Sequence, residues 1–67
     1  MRATHPNKFV IFRDMMDGYW WRLCSATGET VEISEAPYSH KGECEQDVYR
    51  LKEARYPYAT VRDAAIG

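Results

Sequence analysis

The pattern of hydrophobic and polar positions changes its period once along the chain, near residue 38. Before that point, three short segments are rich in β-forming residues and bounded by turn residues: KFVIFRD (8–14), YWWRLCSA (19–26) and ETVEIS (29–34). A turn-like run ending at Gly18 separates the first two, and Thr27 with Gly28 separates the next two, because glycine accepts positive φ at no steric cost. This pattern predicts three strands in an antiparallel meander.

The second half of the chain has a helical period followed by one more strand-like segment. Charged residues there separate apolar residues that recur three or four positions apart, namely Cys44, Val48 and Leu51. We expect Ser39 to cap the N-terminus of this helix with its hydroxyl oxygen. The helix should end before Pro57, because the residue preceding a proline disfavours the α region. YATVRD (58–63) then predicts a short last strand, and the whole string is β-β-β-α-β.

The two faces of the predicted sheet differ in character. Neighbouring side chains of a strand point to opposite faces, so Trp20 and Trp21 cannot share one environment. One face has no charge and is expected to receive the single helix, which predicts an α+β core: Phe9, Ile11, Trp21, Leu23, Cys44, Val48 and Leu51. The other face is also largely apolar, and one helix cannot cover both. We therefore expect this second face to be a binding or interface surface: Val10, Phe12, Trp20 and Arg22.

Chain length sets the domain organisation and suggests self-association. With 67 residues, the sequence has room for one domain, predicted over 8–63 between a flexible leader (1–7) and a flexible tail (64–67). A chain this short buries only about 60% of its unfolded surface, and domains below roughly 70–80 residues usually need disulfides, a metal or a partner subunit.

Cysteine usage argues against the first two of these remedies. The two cysteines, Cys24 and Cys44, have no zinc-like spacing, and no apolar run near the N-terminus acts as a secretory segment. We therefore expect reduced thiols, no metal, no cofactor and a cytoplasmic location. A membrane span is also excluded, because no stretch approaches the ~20 apolar residues needed. A homodimer is the remaining way to bury enough surface.

Charge and motifs limit the function classes. Nine Lys and Arg against ten Asp and Glu lack the basic excess typical of nucleic-acid binders. There is no glycine-rich phosphate loop, nucleophile elbow or catalytic triad, so we predict no catalytic residue and a non-enzymatic role. Aromatic residues beside arginine on a sheet can nevertheless stack on bases. Single-stranded nucleic acid at Phe12, Trp20 and Arg22 is therefore the alternative to a homodimeric or other protein contact.

The order and spacing of five motifs resemble a known family. FVIFRD, GYWWRL, TGETVEIS, YSHKGECEQDVYRL and TVRD together look like the YegP-like family of small bacterial and archaeal proteins, over about residues 8–63. The resemblance implies a β3-α-β unit that occurs either as a tandem pair in one chain or as a single copy that dimerises. With one copy, this chain looks like the dimeric form. The resemblance also implies that the C-terminal strands are exchanged in a shared sheet, here through Thr60, Val61, Arg62 and Asp63. The family pattern carries no accepted activity.

Three positions depart from that pattern. Thr27 replaces the usual asparagine of the turn, and Asp47 stands where small residues are common on the helix. Pro37 lies in a one-residue insertion before Tyr38. We therefore expect the backbone of the loop from Glu35 to Ser39 to differ from that of the resembled family.

Overall fold

The computed structural model describes residues 7–65, and it confirms the predicted α+β fold class. The elements in chain order are β1 (Lys8–Arg13), β2 (Tyr19–Cys24), β3 (Thr30–Ile33), α1 (Lys41–Arg55) and β4 (Thr60–Asp63). Each strand lies within its predicted segment. The predicted segments are longer because they include the turn residues that flank each strand.

The four strands form one mixed sheet in the order β3-β2-β1-β4. The β1–β2 and β2–β3 pairs are antiparallel, as expected of a meander, whereas β4 runs parallel to β1. A parallel neighbour requires a crossover, and α1 supplies it between β3 and β4. Ile11 is the register partner of both Trp21 and Asp63, so β1 is a central strand. A bulge interrupts the β2–β3 ladder between Leu23 and Cys24.

The helix packs on one face of this sheet and closes the core. Six of the seven residues predicted for the core are buried: Phe9, Ile11, Trp21, Leu23, Cys44 and Val48. The seventh, Leu51, is half-buried and packs against them. Phe9 makes edge-to-face contacts with Trp21 and Tyr56, with ring centroids 5.7 and 5.9 Å apart. Phe9 is therefore packed between an aromatic residue of the sheet, Trp21, and one at the C-terminal end of α1, Tyr56.

The start of the helix differs from the sequence prediction. Ser39 does not cap α1; His40 occupies the cap position in an extended conformation and makes no side-chain capping bond. The cause is a bridge between Tyr38 and Tyr19, whose backbone groups exchange hydrogen bonds of 2.8 and 2.9 Å. Because this bridge keeps Tyr38 extended, the chain needs two further residues to turn, and the helix begins at Lys41.

Backbone hydrogen bonding and core packing extend past the predicted domain boundary at residue 63. The Ala64 N–H donates to the Ile11 carbonyl at 2.8 Å, and Ala65 is buried in the core. At the other end, the Asn7 carbonyl accepts from the Thr60 N–H at 3.0 Å. The rest of the predicted leader and tail, residues 1–6 and 66–67, lies outside the described residues. In this single chain β4 pairs with its own β1, and exchange of β4 between two copies stays a prediction.

The loop containing Pro37 approaches the β1–β2 turn closely. A Cβ atom built on Gly18 would lie 2.6 Å from Pro37 Cβ and 3.1 Å from an Asp14 carboxylate oxygen. A side chain at position 18 would therefore clash with the loop. This contact explains why glycine stands immediately before Tyr19, the first residue of β2, and one residue after the left-handed Asp17 at φ 63°.

Candidate functional site on the open face of the sheet

The open face is the side of the sheet opposite α1, and strand register arranges its side chains in three rows. The first row is aromatic: Trp20 on β2 beside Phe12 on β1. The second row has an arginine on each side of Val10: Arg22 on β2 and Arg62 on β4. The third row runs from β2 to β4: Cys24, Lys8 and Thr60.

A shallow depression lies over the middle of the open face. Its volume is about 410 Å³, and its lining is largely apolar: Val10, Phe12, Arg22, Thr30, Ile33 and Ala64. Ile33 neighbours Arg22 across the β2–β3 ladder and is 49% exposed. The depression therefore offers apolar surface to another molecule, with an arginine at its edge.

The structure brings together the four residues that the sequence assigned to this face. Val10 is 9% exposed, Phe12 and Trp20 are half-buried, and Arg22 is exposed. Sequence reasoning missed Lys8 and Ile33 here, and it assigned Arg62 only to strand exchange. The signal that places Arg62 is the parallel register of β4 on β1, which depends on the crossover and cannot be read from hydrophobic period alone.

Charge is divided between the two faces of the sheet. Lys8, Arg22 and Arg62 are exposed on the open face. Both acidic strand residues lie on the helix side: Glu32 accepts a long hydrogen bond from the Tyr56 hydroxyl at 3.4 Å, and Asp63 forms an ion pair with Lys41. The formal net charge of −1 for the whole chain therefore conceals a face whose strand residues carry only positive charge.

Two of these cations have the freedom to meet an external anion. Within residues 7–65, neither Arg22 nor Arg62 forms an ion pair; the pairs found there use Arg13, Lys41 and Arg50 as cations. The Arg22 guanidinium makes one long hydrogen bond to the Thr30 hydroxyl at 3.4 Å. Their charges are consequently not neutralised by the described part of the chain.

Trp20 is fixed by an acidic side chain at the end of the aromatic row. Its indole N–H donates to Asp14 Oδ2 at 2.6 Å, and the other Asp14 oxygen accepts from the backbone N–H groups of Met16 and Gly18 at 2.8 and 2.9 Å. These hydrogen bonds, led by the one from Trp20, hold the pKa of Asp14 below its ordinary value of 3.8. Asp14 is therefore an ionised group that orients the indole and closes the β1–β2 turn.

The other tryptophan belongs to a hydrogen-bonded chain on the helix side. The Trp21 indole donates to the Tyr38 hydroxyl at 3.3 Å, and that hydroxyl donates to Asp47 Oδ2 at 2.7 Å. Arg50 donates to the second Asp47 oxygen at 3.1 Å. Burial, followed by the bond to Asp47, raises the pKa of Tyr38. Asp47 thus ties the helix to the loop and, through Tyr38, to β2.

A groove along α1 and the two buried cysteines have structural features rather than those of a binding or catalytic site. A surface depression of about 700 Å³ is lined entirely by residues of α1 between Gly42 and Glu53, so it is a groove between side chains of one helix. Cys24 and Cys44 are free and buried, and burial raises the pKa of Cys44 to about 11. Among residues 7–65, no three His, Cys, Asp or Glu side chains are grouped to hold a metal ion.

Helix α1 is neither long nor apolar enough to cross a membrane, and the described residues contain no helix that is.

A solved structure shares this fold. The solution NMR structure of a protein from Haloferax volcanii is similar to this chain, with a TM-score of 0.65 and 28% sequence identity. The similarity covers 75% of this chain and 83% of that one. No family model and no curated protein sequence matches the chain. The comparison thus supports the fold, and membership of the YegP-like family stays a prediction.

Proposed function

We propose that this protein is a non-enzymatic, homodimeric binding module whose open face receives another molecule. The observation that supports this role most strongly is the open face itself. The helix covers the other side of the sheet, whereas Val10, Phe12 and Ile33 surround a depression that no element among residues 7–65 fills. Contiguous apolar surface of this kind usually marks an interaction site.

Small size and the attachment of β4 support the dimer. Ala59 and Ala65, which lie just before and just after β4, are buried in the core, so the core depends on the placement of this strand. The strand is joined to α1 only through the turn at Tyr56–Ala59, where the Ala59 N–H donates to the Tyr56 carbonyl at 3.0 Å. If this turn opens, β4 can pair with β1 of a second copy in the same register. Such an exchange preserves every native contact of the strand.

The charges of the open face argue against its being the contact between the two copies. A two-fold symmetric interface places the same patch of both protomers together. Lys8, Arg22 and Arg62 of one copy would then face the same three cations of the other. Like-charge juxtaposition across an interface costs several kcal/mol, so we assign the dimer contact to β4 and leave the open face for a different partner.

Light scattering tests the dimer directly. At low micromolar concentration we expect a mass of twice the 7.8 kDa chain. A folded monomer of 7.8 kDa would reject the homodimer. The cytoplasmic location is part of the same proposal, because two free thiols suit a reducing compartment.

A cysteine pair tests the exchange of β4. Val10 and Arg62 are register partners, and paired strand residues lie about 5 Å apart, within disulfide range. In an exchanged dimer, the Val10→Cys/Arg62→Cys double variant should oxidise to a reducible species of two chains. The two single variants control for the native thiols. A disulfide formed within one chain would contradict the exchange of β4. That result would not decide whether the protein is a homodimer, which the mass measurement tests separately.

A further inference from the structure

We propose that the open face binds single-stranded nucleic acid, with the phosphate backbone following the arginine row and the bases lying over the aromatic row. This inference rests on the proposal that the open face is the binding surface, and it names the partner. It is carried by the relative placement of Arg22, Arg62, Phe12 and Trp20, which β4 completes.

The geometry of the rows suits a chain of linked anions. Arg22 and Arg62 are each one strand away from Val10, so their backbones are about 10 Å apart across the sheet. Lys8 and Phe12 are both two residues from Val10 along β1, roughly 7 Å to either side. A backbone crossing β1 at Val10 would therefore have an arginine on each side, a lysine behind it and an aromatic ring in front.

The charge pattern sets the orientation of the ligand. Asp14 is ionised at the end of the aromatic row, where it accepts the Trp20 indole N–H at 2.6 Å. A phosphate is repelled there and attracted to the two arginines, whereas an uncharged base meets apolar and aromatic surface beside Phe12. The same contrast makes an acidic protein segment a poorer fit, because a carboxylate side chain brings negative charge without an uncharged ring to stack on the aromatic row.

The aromatic residues of the open face favour single strands over duplexes. Bases in a duplex are stacked on one another, so they cannot lie on protein rings, whereas sheet-based binders stack unpaired bases on aromatic side chains. We expect each open face to hold roughly two or three bases, as other four-stranded sheets do. With so few contacts, binding should be salt-sensitive and in the range of about 1–100 μM.

Fluorescence anisotropy of a labelled oligothymidylate of about 12 nucleotides tests the inference on the 67-residue chain. At about 20 mM salt we expect saturable binding that weakens as salt rises. The variant Arg22→Gln/Arg62→Gln should lower the affinity at least tenfold and reduce the salt slope by about 1.4, because each phosphate contact contributes about 0.7 on single strands. Phe12→Leu, which keeps the apolar volume and removes the ring, should weaken binding by about fivefold or more.

A matched control removes the same charge elsewhere. Lys52→Gln/Arg55→Gln changes the two basic residues in the last turn of α1, neither of which forms an ion pair within residues 7–65, and should leave the affinity and the salt slope within twofold of wild type. Equal losses in the two double variants would overturn the inference, because binding would then depend on net charge alone. Wild-type affinity in Phe12→Leu would overturn it as well.

Competitors separate the other occupants. Unlabelled single strands should displace the probe, whereas duplex of the same length and polyglutamate should do so at least tenfold less well. If duplex or polyglutamate displaced the probe as well as unlabelled single strands do, the single-strand assignment would be rejected. No anisotropy change with about 500 μM protein at low salt would also reject it. That result would leave the homodimer standing, because the mass and cross-linking measurements need no nucleic acid.

Discussion

The Trp20 indole and the Asp14 carboxylate are joined by a hydrogen bond of 2.6 Å across the start of the β1–β2 turn. This bond separates the roles of the two adjacent tryptophans. Trp21 lies in the core and donates to Tyr38, whereas Trp20 is half-buried on the open face and is oriented by an ionised side chain. The position of Trp20 is thus defined before any partner binds, which lowers the entropic cost of using it in recognition.

The first prediction concerns the pH at which this bond is lost. The pKa of Asp14 is below 3.8 in the folded protein and about 3.9 when unfolded. Its stabilising effect is therefore complete above the unfolded value and disappears as pH falls through the folded value. In amide spectra recorded during acidification, the Trp20 indole N–H signal should shift with a midpoint below 3.8. Asp14→Asn should abolish that step; a midpoint above 3.8, or an unchanged step in the variant, would refute it.

The second prediction concerns the hydrogen-bonded chain on the helix side. Tyr38→Phe removes the acceptor of the Trp21 indole and the donor to Asp47. Because the variant leaves a part-buried donor unsatisfied, we expect a loss of about 1–3 kcal/mol in the free energy of unfolding, measured with urea. Tyr58→Phe is the control, since Tyr58 is 76% exposed and should change stability by less than about 0.5 kcal/mol. Equal effects would show that the network contributes nothing.

The third prediction concerns the close contact between Gly18 and Pro37. Gly18→Ala places a methyl group 2.6 Å from Pro37 Cβ, so the loop must move. We expect a cost of about 1–3 kcal/mol in unfolding free energy, as for other overpacked sites. Gly42→Ala is the matched control, because a Cβ there meets nothing within 4 Å and alanine favours a helix. Chemical denaturation of both variants measures the free energy of unfolding. An unchanged value for Gly18→Ala would contradict the described path of the loop.

The fourth prediction compares the two faces of the sheet. Leu23 is fully buried under α1, and Ile33 is 49% exposed on the open face. Leu23→Ala should cost about 2–5 kcal/mol through loss of buried surface and an unfilled cavity. Ile33→Ala should cost less than about 1 kcal/mol, because its side chain remains half in water. If urea denaturation gives comparable losses, Ile33 is covered in solution, and the open face is an interface between protomers.

The period of the sequence was sufficient to predict the elements and most of the core, but not the buried alanines Ala59 and Ala65. Alternation placed Trp21 and Leu23 on the helix face, and helical spacing placed Cys44 and Val48 against them. The start of α1 was wrong by one cap residue, because the Tyr19–Tyr38 bridge is a long-range contact that competes with local capping by Ser39. Local pattern does not contain such a contact.

The open face was only partly predictable for a similar reason. Val10, Phe12, Trp20 and Arg22 follow from alternation in two neighbouring strands. Arg62 joins them through parallel pairing of a strand more than fifty positions away in sequence from Val10, and this register depends on the length of the crossover. Net charge was misleading as well, because it sums over the whole chain and does not show that Glu32 and Asp63 lie on the other side of the sheet.

The most direct test of the open face as a nucleic-acid surface is a titration of the isotope-labelled protein with the single-stranded oligothymidylate, followed by amide and indole signals. We predict progressive shifts confined to Phe12, Arg22, Arg62 and the Trp20 indole, with the signals of α1 and the Trp21 indole unchanged. Shifts centred on α1, or no shifts on the open face at saturating oligonucleotide, would contradict this account.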